Sequence, residues 1–199
     1  MRVCWAMKFL RINAEQPGKD LLLEASDYIK RGKIIVYPTD TVYGLGCRID
    51  LPESVSGVYG LKERPRDMPL SVAFSDLDML ERYVILSDEE RRFIMKNTRE
   101  PFTFVVRKRE SISDLVTAGS ENVGARIMNH PVSRWIVKDA GIPIITTSAN
   151  ISGERAPKNV EEISYRIKVG VDLIIDSGPC KIGVPSKVIE IKTGKVLRE

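Results

Sequence analysis

The chain has 199 residues, 43% of them hydrophobic and 29% charged, with a net charge of +4. That composition excludes a disordered chain, and the length fits one large domain or two small ones. No apolar run approaches the ~18 residues of a membrane span, and the mild positive excess permits an anionic ligand such as a nucleotide or RNA without requiring one.

Residues 1–10 contain apolar side chains but no long hydrophobic region and no small-residue cleavage site, so no signal peptide is expected. Cys4, Cys47 and Cys180 show no CxxC spacing, and His130 is the single histidine, so no zinc site is expected. An odd cysteine count without a secretory signal fits a reducing cytoplasm.

Residues 17–31 read as a helix, with Leu21, Leu22, Ala25, Tyr28 and Ile29 at helical spacing and Gly32 as its C-terminal cap. Residues 34–46, IIVYPTDTVYGLG, start as an apolar strand, pass through Thr39, Asp40, Thr41 and Tyr43, and close on two glycines. The expectation there is a buried strand followed by a tight turn. A helix over 54–63 is ended by Pro65, which places Lys62 and Arg64 in its last turn beside Arg66. A strand at 69–74 and a short helix at 77–83 follow. Ser87-Asp88-Glu89-Glu90 is a capping box opening a helix toward Lys96. Strands are expected at 102–107, enclosing Thr103, and at 122–127, carrying Arg126. A helix over 131–140 starts on Pro131 and stops at Gly141. Residues 143–147 form a buried strand, and Ser148-Ala149-Asn150-Ile151-Ser152-Gly153 leaves its end. Asn159 is expected to cap a helix to Lys168, with Glu162 as its capping-box partner. A strand at 171–175 and a hairpin of 186–191 and 195–197 over Thr193-Gly194 complete the series. The alternation predicts the α/β class, a single domain over 1–199 with a twisted mixed parallel/antiparallel sheet flanked by helices.

No GxxxxGK[ST] phosphate loop is present, no GxGxxG follows a strand, and no GxSxG elbow accompanies His130, which receives no catalytic role. Four clusters remain. The first is Thr39, Asp40, Thr41 and Tyr43, hydroxyls and a carboxylate at a strand end. The second is Lys62-Glu63-Arg64-Pro65: two cations that either complement a helix dipole or clamp phosphates, Arg64 by forked hydrogen bonds and Lys62 as a compact charge. The third, Ser148-Ala149-Asn150, either caps a loop or holds a nucleotide's phosphate or sugar. The fourth is Pro185-Ser186-Lys187, with Arg198 beyond it.

In combination these clusters are far more specific. PTDTVYGLG, KxRP followed by Pro69-Leu70, Arg126 near His130-Pro131, SANxSG, and Pro185-Ser186 before a strand resemble the YrdC-like family, in order, from about 20 to 198. The resemblance implies a twisted α/β sheet with a basic concave face. It implies an L-threonylcarbamoyladenylate synthase, a nucleotidyltransferase that converts L-threonine, bicarbonate and ATP to threonylcarbamoyl-AMP and pyrophosphate. A separate tRNA threonylcarbamoyl transferase then modifies adenosine 37 of tRNAs reading ANN codons. Lys62, Arg64, Ser148 and Asn150 match the set that handles the ATP phosphates and the adenylate, and Arg198 matches a nucleotide-contacting arginine. Thr41, Arg126, Thr146 and Ser186 match contacts to L-threonine, with Arg126 on its carboxylate, and Thr39 and Tyr43 shape that pocket. Mg²⁺ is expected to accompany ATP, with no metal held by protein side chains.

The chain also departs from the pattern. Ala73 stands where two-domain members carry histidine, Lys187 where threonine is usual, and residues 97–101 replace Trp-Pro-Gly-Pro. The chain ends at Glu199, which suggests the single-domain form. A noncatalytic module that binds double-stranded RNA or tRNA is the alternative, as is a carbamoyl-transfer module of the kind found within larger maturases. Even for the synthase a weak tRNA contact is compatible with the charge. No membrane partner is expected.

Overall fold

The computed structural model describes residues 7–198. Cys4 and most of the stretch considered for a signal peptide lie outside the described residues. Strand β1 (Lys8–Arg11) has no counterpart in the hydrophobic pattern, because only Leu10 of its four residues is buried. Helix α1 (Lys19–Lys30) turns Leu22, Ala25, Ser26 and Ile29 inward. Gly32 ends the turn at φ 73°, a left-handed conformation in which a Cβ would also stand 2.4 Å from Leu51 Cδ1.

The stretch expected to be a strand and a tight turn is a hairpin. β2 (Ile35–Tyr37) pairs antiparallel with β3 (Gly44–Gly46), in the register Ile35↔Gly46 and Tyr37↔Gly44, with residues 38–43 as the connecting loop. The physical reason is the Tyr37 ring. A Cβ on Gly44 would lie 2.8 Å from Tyr37 Cζ, and one on Gly46 would lie 2.9 Å from Tyr37 Cε1 and 2.2 Å from the Ile145 carbonyl oxygen. Both glycines are strand residues over which the Tyr37 ring passes too closely for a side chain, and at Gly46 a neighbouring backbone does so as well.

Helix α2 (Pro52–Lys62) starts on proline and ends where Glu63 adopts φ 50°, two residues before the proline expected to stop it. β4 (Ser71–Phe74), α3 (Leu77–Glu81) and β5 (Val84–Ile85) lead to α4 (Asp88–Lys96). The capping box there forms as expected: Glu90 N–H donates to Ser87 Oγ at 3.2 Å and Ser87 N–H to Glu90 Oε2 at 2.8 Å. β6 (Phe102–Lys108), the short α5 (Asp114–Thr117), β7 (Asn122–Ile127), α6 (Pro131–Ala140) and β8 (Ile144–Ser148) follow. Asp139 of α6 accepts from Ser26 Oγ and Lys30 Nζ, each at 2.7 Å, and so ties α6 to α1.

The helix expected to run from Asn159 does not form. Its capping pair exists, since Asn159 Oδ1 accepts from Glu162 N–H at 3.0 Å and Glu162 Oε2 from Lys158 N–H at 2.9 Å, but it closes a single turn. That turn sends Val160 and Ile163 into the core; Ser164 then becomes extended and caps α7 (Tyr165–Gly170). β9 (Leu173–Asp176), β10 (Lys187–Glu190) and β11 (Lys195–Arg198) close the fold.

The strands form one sheet in the order β1-β9-β2-β3-β8-β4-β7-β6-β10-β11, with β5 paired to β6. The pairs β1/β9, β9/β2, β4/β7 and β6/β10 are parallel and the remainder antiparallel, as the element pattern predicted. The glycine geometry has a direct test. Gly46→Ala is expected to destabilise the fold by ~2–4 kcal/mol in chemical denaturation, through overpacking against backbone. Gly60→Ala, in α2 with nothing within 4 Å of the added Cβ, is expected to stabilise it by ~0.5–1 kcal/mol.

Candidate active site

Residues paired directly across a sheet project from the same face. The registers Ser71↔Gly124, Ser71↔Thr146 and Gly44↔Ser148 therefore place Ser71, Thr146 and Ser148 on one face, with Gly44 and Gly124 between them. Arg126, two residues beyond Gly124 on β7, lies on that face too. The face opens into a cavity of about 230 Å³. Every residue assigned above to substrate or nucleotide lines it: Thr39, Thr41, Tyr43, Lys62, Arg64, Arg126, Thr146, Ser148, Asn150, Ser186 and Arg198. Four of the lining side chains are cations and none is a carboxylate.

Lys62 ends α2, and its side chain reaches the end of β8. Its ammonium donates to the carbonyls of Ser148 at 2.5 Å and Asn150 at 2.7 Å, and the residue is 2% exposed. Burial first, and the Arg64 guanidinium second, pull its pKa down to about 7. Arg64 donates from Nε to the Met68 carbonyl at 3.2 Å and from Nη2 to that of Pro69 at 2.8 Å, and burial lowers its pKa as well. Arg198 reaches in from β11 and donates to the Ser186 carbonyl from Nε at 3.2 Å and Nη2 at 2.7 Å. Its pKa is lowered by burial, then by Arg126 and Arg64, so the cations are crowded enough to repel one another. An anion relieves that repulsion.

Arg126 is buried, and its Nη2 donates to Asp40 Oδ1 at 2.6 Å. Thr39 Oγ1 donates to the Val42 carbonyl at 2.7 Å and accepts the N–H groups of Thr41 and Val42 at 3.1 and 3.2 Å. Thr39 Oγ1 is thereby fully engaged within the protein, and the Thr41 hydroxyl, 2.9 Å from it, keeps lone pairs for a ligand. Tyr43 is fully buried and its hydroxyl donates to the Gly178 carbonyl at 2.8 Å. Thr39 and Tyr43 thus hold the cavity wall in shape, their hydroxyls engaged within the protein. Asn150 Nδ2 donates to the carbonyls of Ile151 at 2.7 Å and Glu154 at 2.9 Å, while Oδ1 is buried without a partner among the described residues.

Several lining residues had no role assigned from sequence. Thr103 is buried and shares a 2.8 Å hydroxyl contact with Ser186; its signal was a hydroxyl between Phe102 and Phe104 in a strand. Ser71 lines the cavity because Gly124 leaves it room: a Cβ there would stand 2.8 Å from Ser71 Oγ. Ser152 Oγ, also on the wall, is buried without a partner among the described residues. Ala73 is buried and off the cavity, Lys187 is exposed, and His130, at the start of α6, is not among the lining residues.

A charge-disfavouring site for Lys62 couples anion binding to protons. In the free protein the amine is partly neutral near its pKa of about 7, and a bound polyanion restores the ammonium. Affinity for pyrophosphate is therefore expected to fall as pH rises from about 7 toward 9, with net proton uptake on binding at about pH 8. Isothermal titration in buffers of different ionisation heats measures the uptake, and Lys62→Arg, always charged, is expected to abolish the part due to this residue.

The family described as telomere recombination (Sua5/YciO/YrdC) matches residues 27–199. The chain is 34% identical over 191 residues to a Methanocaldococcus jannaschii protein provisionally named threonylcarbamoyl-AMP synthase, which covers 96% of this chain and 89% of the relative. It is 32% identical over 170 residues to the threonylcarbamoyl-AMP synthase of Bacillus subtilis, covering 84% of this chain but 49% of that longer protein. The crystal structure of E. coli YciO superposes with a TM-score of 0.88 at 27% identity, over 97% of this chain and 95% of that one. The crystal structure of Pyrococcus abyssi Sua5 complexed with L-threonine superposes with a TM-score of 0.86 at 30% identity, over 92% of this chain and 54% of that one. Over nearly its whole length, the chain belongs to the Sua5/YciO/YrdC family.

Proposed function

We propose that this protein is an L-threonylcarbamoyladenylate synthase. It joins L-threonine and bicarbonate to the adenylate of ATP, releases pyrophosphate, and supplies a separate transferase that acts on adenosine 37 of tRNAs reading ANN codons. Weak contact with tRNA or double-stranded RNA belongs to that hand-over. The observation that carries the reading is the cavity wall: Lys62, Arg64, Arg126 and Arg198 converge on it with no carboxylate side chain among the lining residues. Relatives named threonylcarbamoyl-AMP synthase and an L-threonine complex of a family member support the same substrates. An RNA-binding module accounts less well for a small cavity that gathers four cations, two of which, Lys62 and Arg126, are buried in its wall.

In the first step the threonine nitrogen bonds to the bicarbonate carbon and water leaves, giving a carbamate. A carbamate oxygen then bonds to the α-phosphorus as the bond to the pyrophosphate oxygen breaks. An anion attacking a polyanion needs its repulsion cancelled and its approach aligned. Lys62, Arg64 and Arg198 cancel charge on the phosphates, and Arg126 holds the amino-acid carboxylate by its remaining donors. The unused lone pairs of Thr41 accept from the substrate's hydroxyl or amine. No lining residue serves as a carboxylate base, so proton transfers run through the substrate amine and carbamate. Mg²⁺ carried by ATP supplies further neutralisation when bound. The unpartnered Asn150 Oδ1 and Ser152 Oγ are oxygens that fit a hard cation or its waters.

Pyrophosphate release is expected to require both L-threonine and bicarbonate. Arg64→Ala is expected to lower kcat by ~100-fold or more while the thermal midpoint stays near that of the parent. ATP turnover indifferent to L-threonine, together with salt-sensitive RNA binding, would overturn the proposal in favour of the RNA module.

A further inference from the structure

The four cations on the cavity wall are not equivalent. Among the described residues, the ammonium of Lys62 and the guanidinium groups of Arg64 and Arg198 meet carbonyl and hydroxyl oxygens and no carboxylate. Arg126 alone of the four is salt-bridged, to Asp40 at 2.6 Å, with side-chain exposures of 7% and 12%. Asp40 is not itself among the lining residues. It sits in the 38–43 loop of the β2–β3 hairpin, where its carbonyl accepts the Ile182 N–H at 3.0 Å and the neighbouring Thr41 carbonyl accepts that of Gly183 at 2.8 Å. The backbone that carries the carboxylate is thereby anchored at Asp40 and at Thr41.

We propose that Asp40 is a positioning residue that divides the cavity into two anion subsites, reserving Arg126 for a monoanionic carboxylate and leaving Lys62, Arg64 and Arg198 to the polyphosphate. The pair Asp40–Arg126 is neutral overall, so a multiply charged phosphate gains little by approaching it. The three uncompensated cations attract that phosphate strongly. A carboxylate needs less charge and more geometry: two parallel hydrogen bonds from a guanidinium held in one orientation. With one Nη2 bond committed to Asp40, Arg126 presents its remaining N–H donors in a single pose. Without that division both anions would compete for all four cations, and ATP would displace the amino acid that must lie beside it.

The inference rests on the proposed function, and the test separates the two. The probes are L-threonine and inorganic tripolyphosphate, titrated calorimetrically alone and against each other. In the parent protein the two are expected to bind together without competition. In Asp40→Asn, tripolyphosphate is expected to tighten by about tenfold and to compete with L-threonine, whereas Asp40→Glu, which keeps the charge, is expected to behave as the parent. The double variant Asp40→Asn/Arg126→Gln keeps the net charge of the site. It is expected to hold its tripolyphosphate affinity within about twofold while losing L-threonine. This second variant stands if Asp40→Asn alone fails to fold. Parent protein that binds no L-threonine overturns the proposed function. Parent protein that binds both probes, with Asp40→Asn leaving tripolyphosphate affinity unchanged and noncompetitive, or with the double variant losing tripolyphosphate, overturns the division of the cavity.

Discussion

A buried ammonium held by two carbonyl oxygens joins the parts of this protein that matter for its chemistry. Lys62 Nζ bridges the carbonyls of Ser148 and Asn150, and the Lys62 carbonyl accepts the Ser152 N–H at 2.8 Å. Two segments about 90 residues apart in sequence are thus locked end to end. Burying an ammonium costs several kcal/mol, and two charge-assisted bonds of ~1.5–3 kcal/mol each offset much of that without removing the preference for the neutral form. The depressed pKa of Lys62 and its place in the cavity have the same origin. The protein holds a charge in an unfavourable setting, and an anionic ligand improves that setting.

Around this bridge the cavity follows from strand alternation. β8 reads Ile144-Ile145-Thr146-Thr147-Ser148, and register with β3 and β4 brings Thr146 and Ser148 beside Gly44 and Ser71. The apolar residues at the start of β8 are buried in the core, and its hydroxyl end lines the cavity. Glycine at positions 44 and 124 makes room on this face for the Tyr37 ring in one case and for the Ser71 hydroxyl in the other. Residues that lack a side chain thus set where their neighbours can lie.

Charge is arranged with equal economy of means. Cations from α2, the loop after it, β7 and the edge strand β11 meet in one concavity, Arg198 reaching it from a strand whose four residues are all exposed. One of them is neutralised by a carboxylate from the hairpin loop. The arrangement favours polyanions over most of the wall and a differently shaped anion at one point.

Much of this was legible in the amino-acid sequence. Helical spacing, the Ser87 capping box and the Pro131 and Gly141 boundaries marked elements whose signals are local, and local signals do not depend on what packs above them. The ordered motifs also marked the residues that line the cavity, because a hydroxyl, amide or cation at a strand or helix end is visible in one dimension. Other features were decided only by tertiary structure. The pair Gly44 and Gly46 looks like a turn until Tyr37 is laid across it, and the Asn159 box looks like a helix start until Val160 and Ile163 are drawn into the core. Sequence marks Thr39 and Tyr43 as residues that shape the pocket, but only the fold supplies Val42 and Gly178 as the partners of their hydroxyls. Asp40 and Arg126 are 86 residues apart, and no local pattern says that they meet. Residue type and spacing determine what a side chain can do. Which of its possible partners it finds is set by the register of distant strands, and that register exists only in the folded sheet.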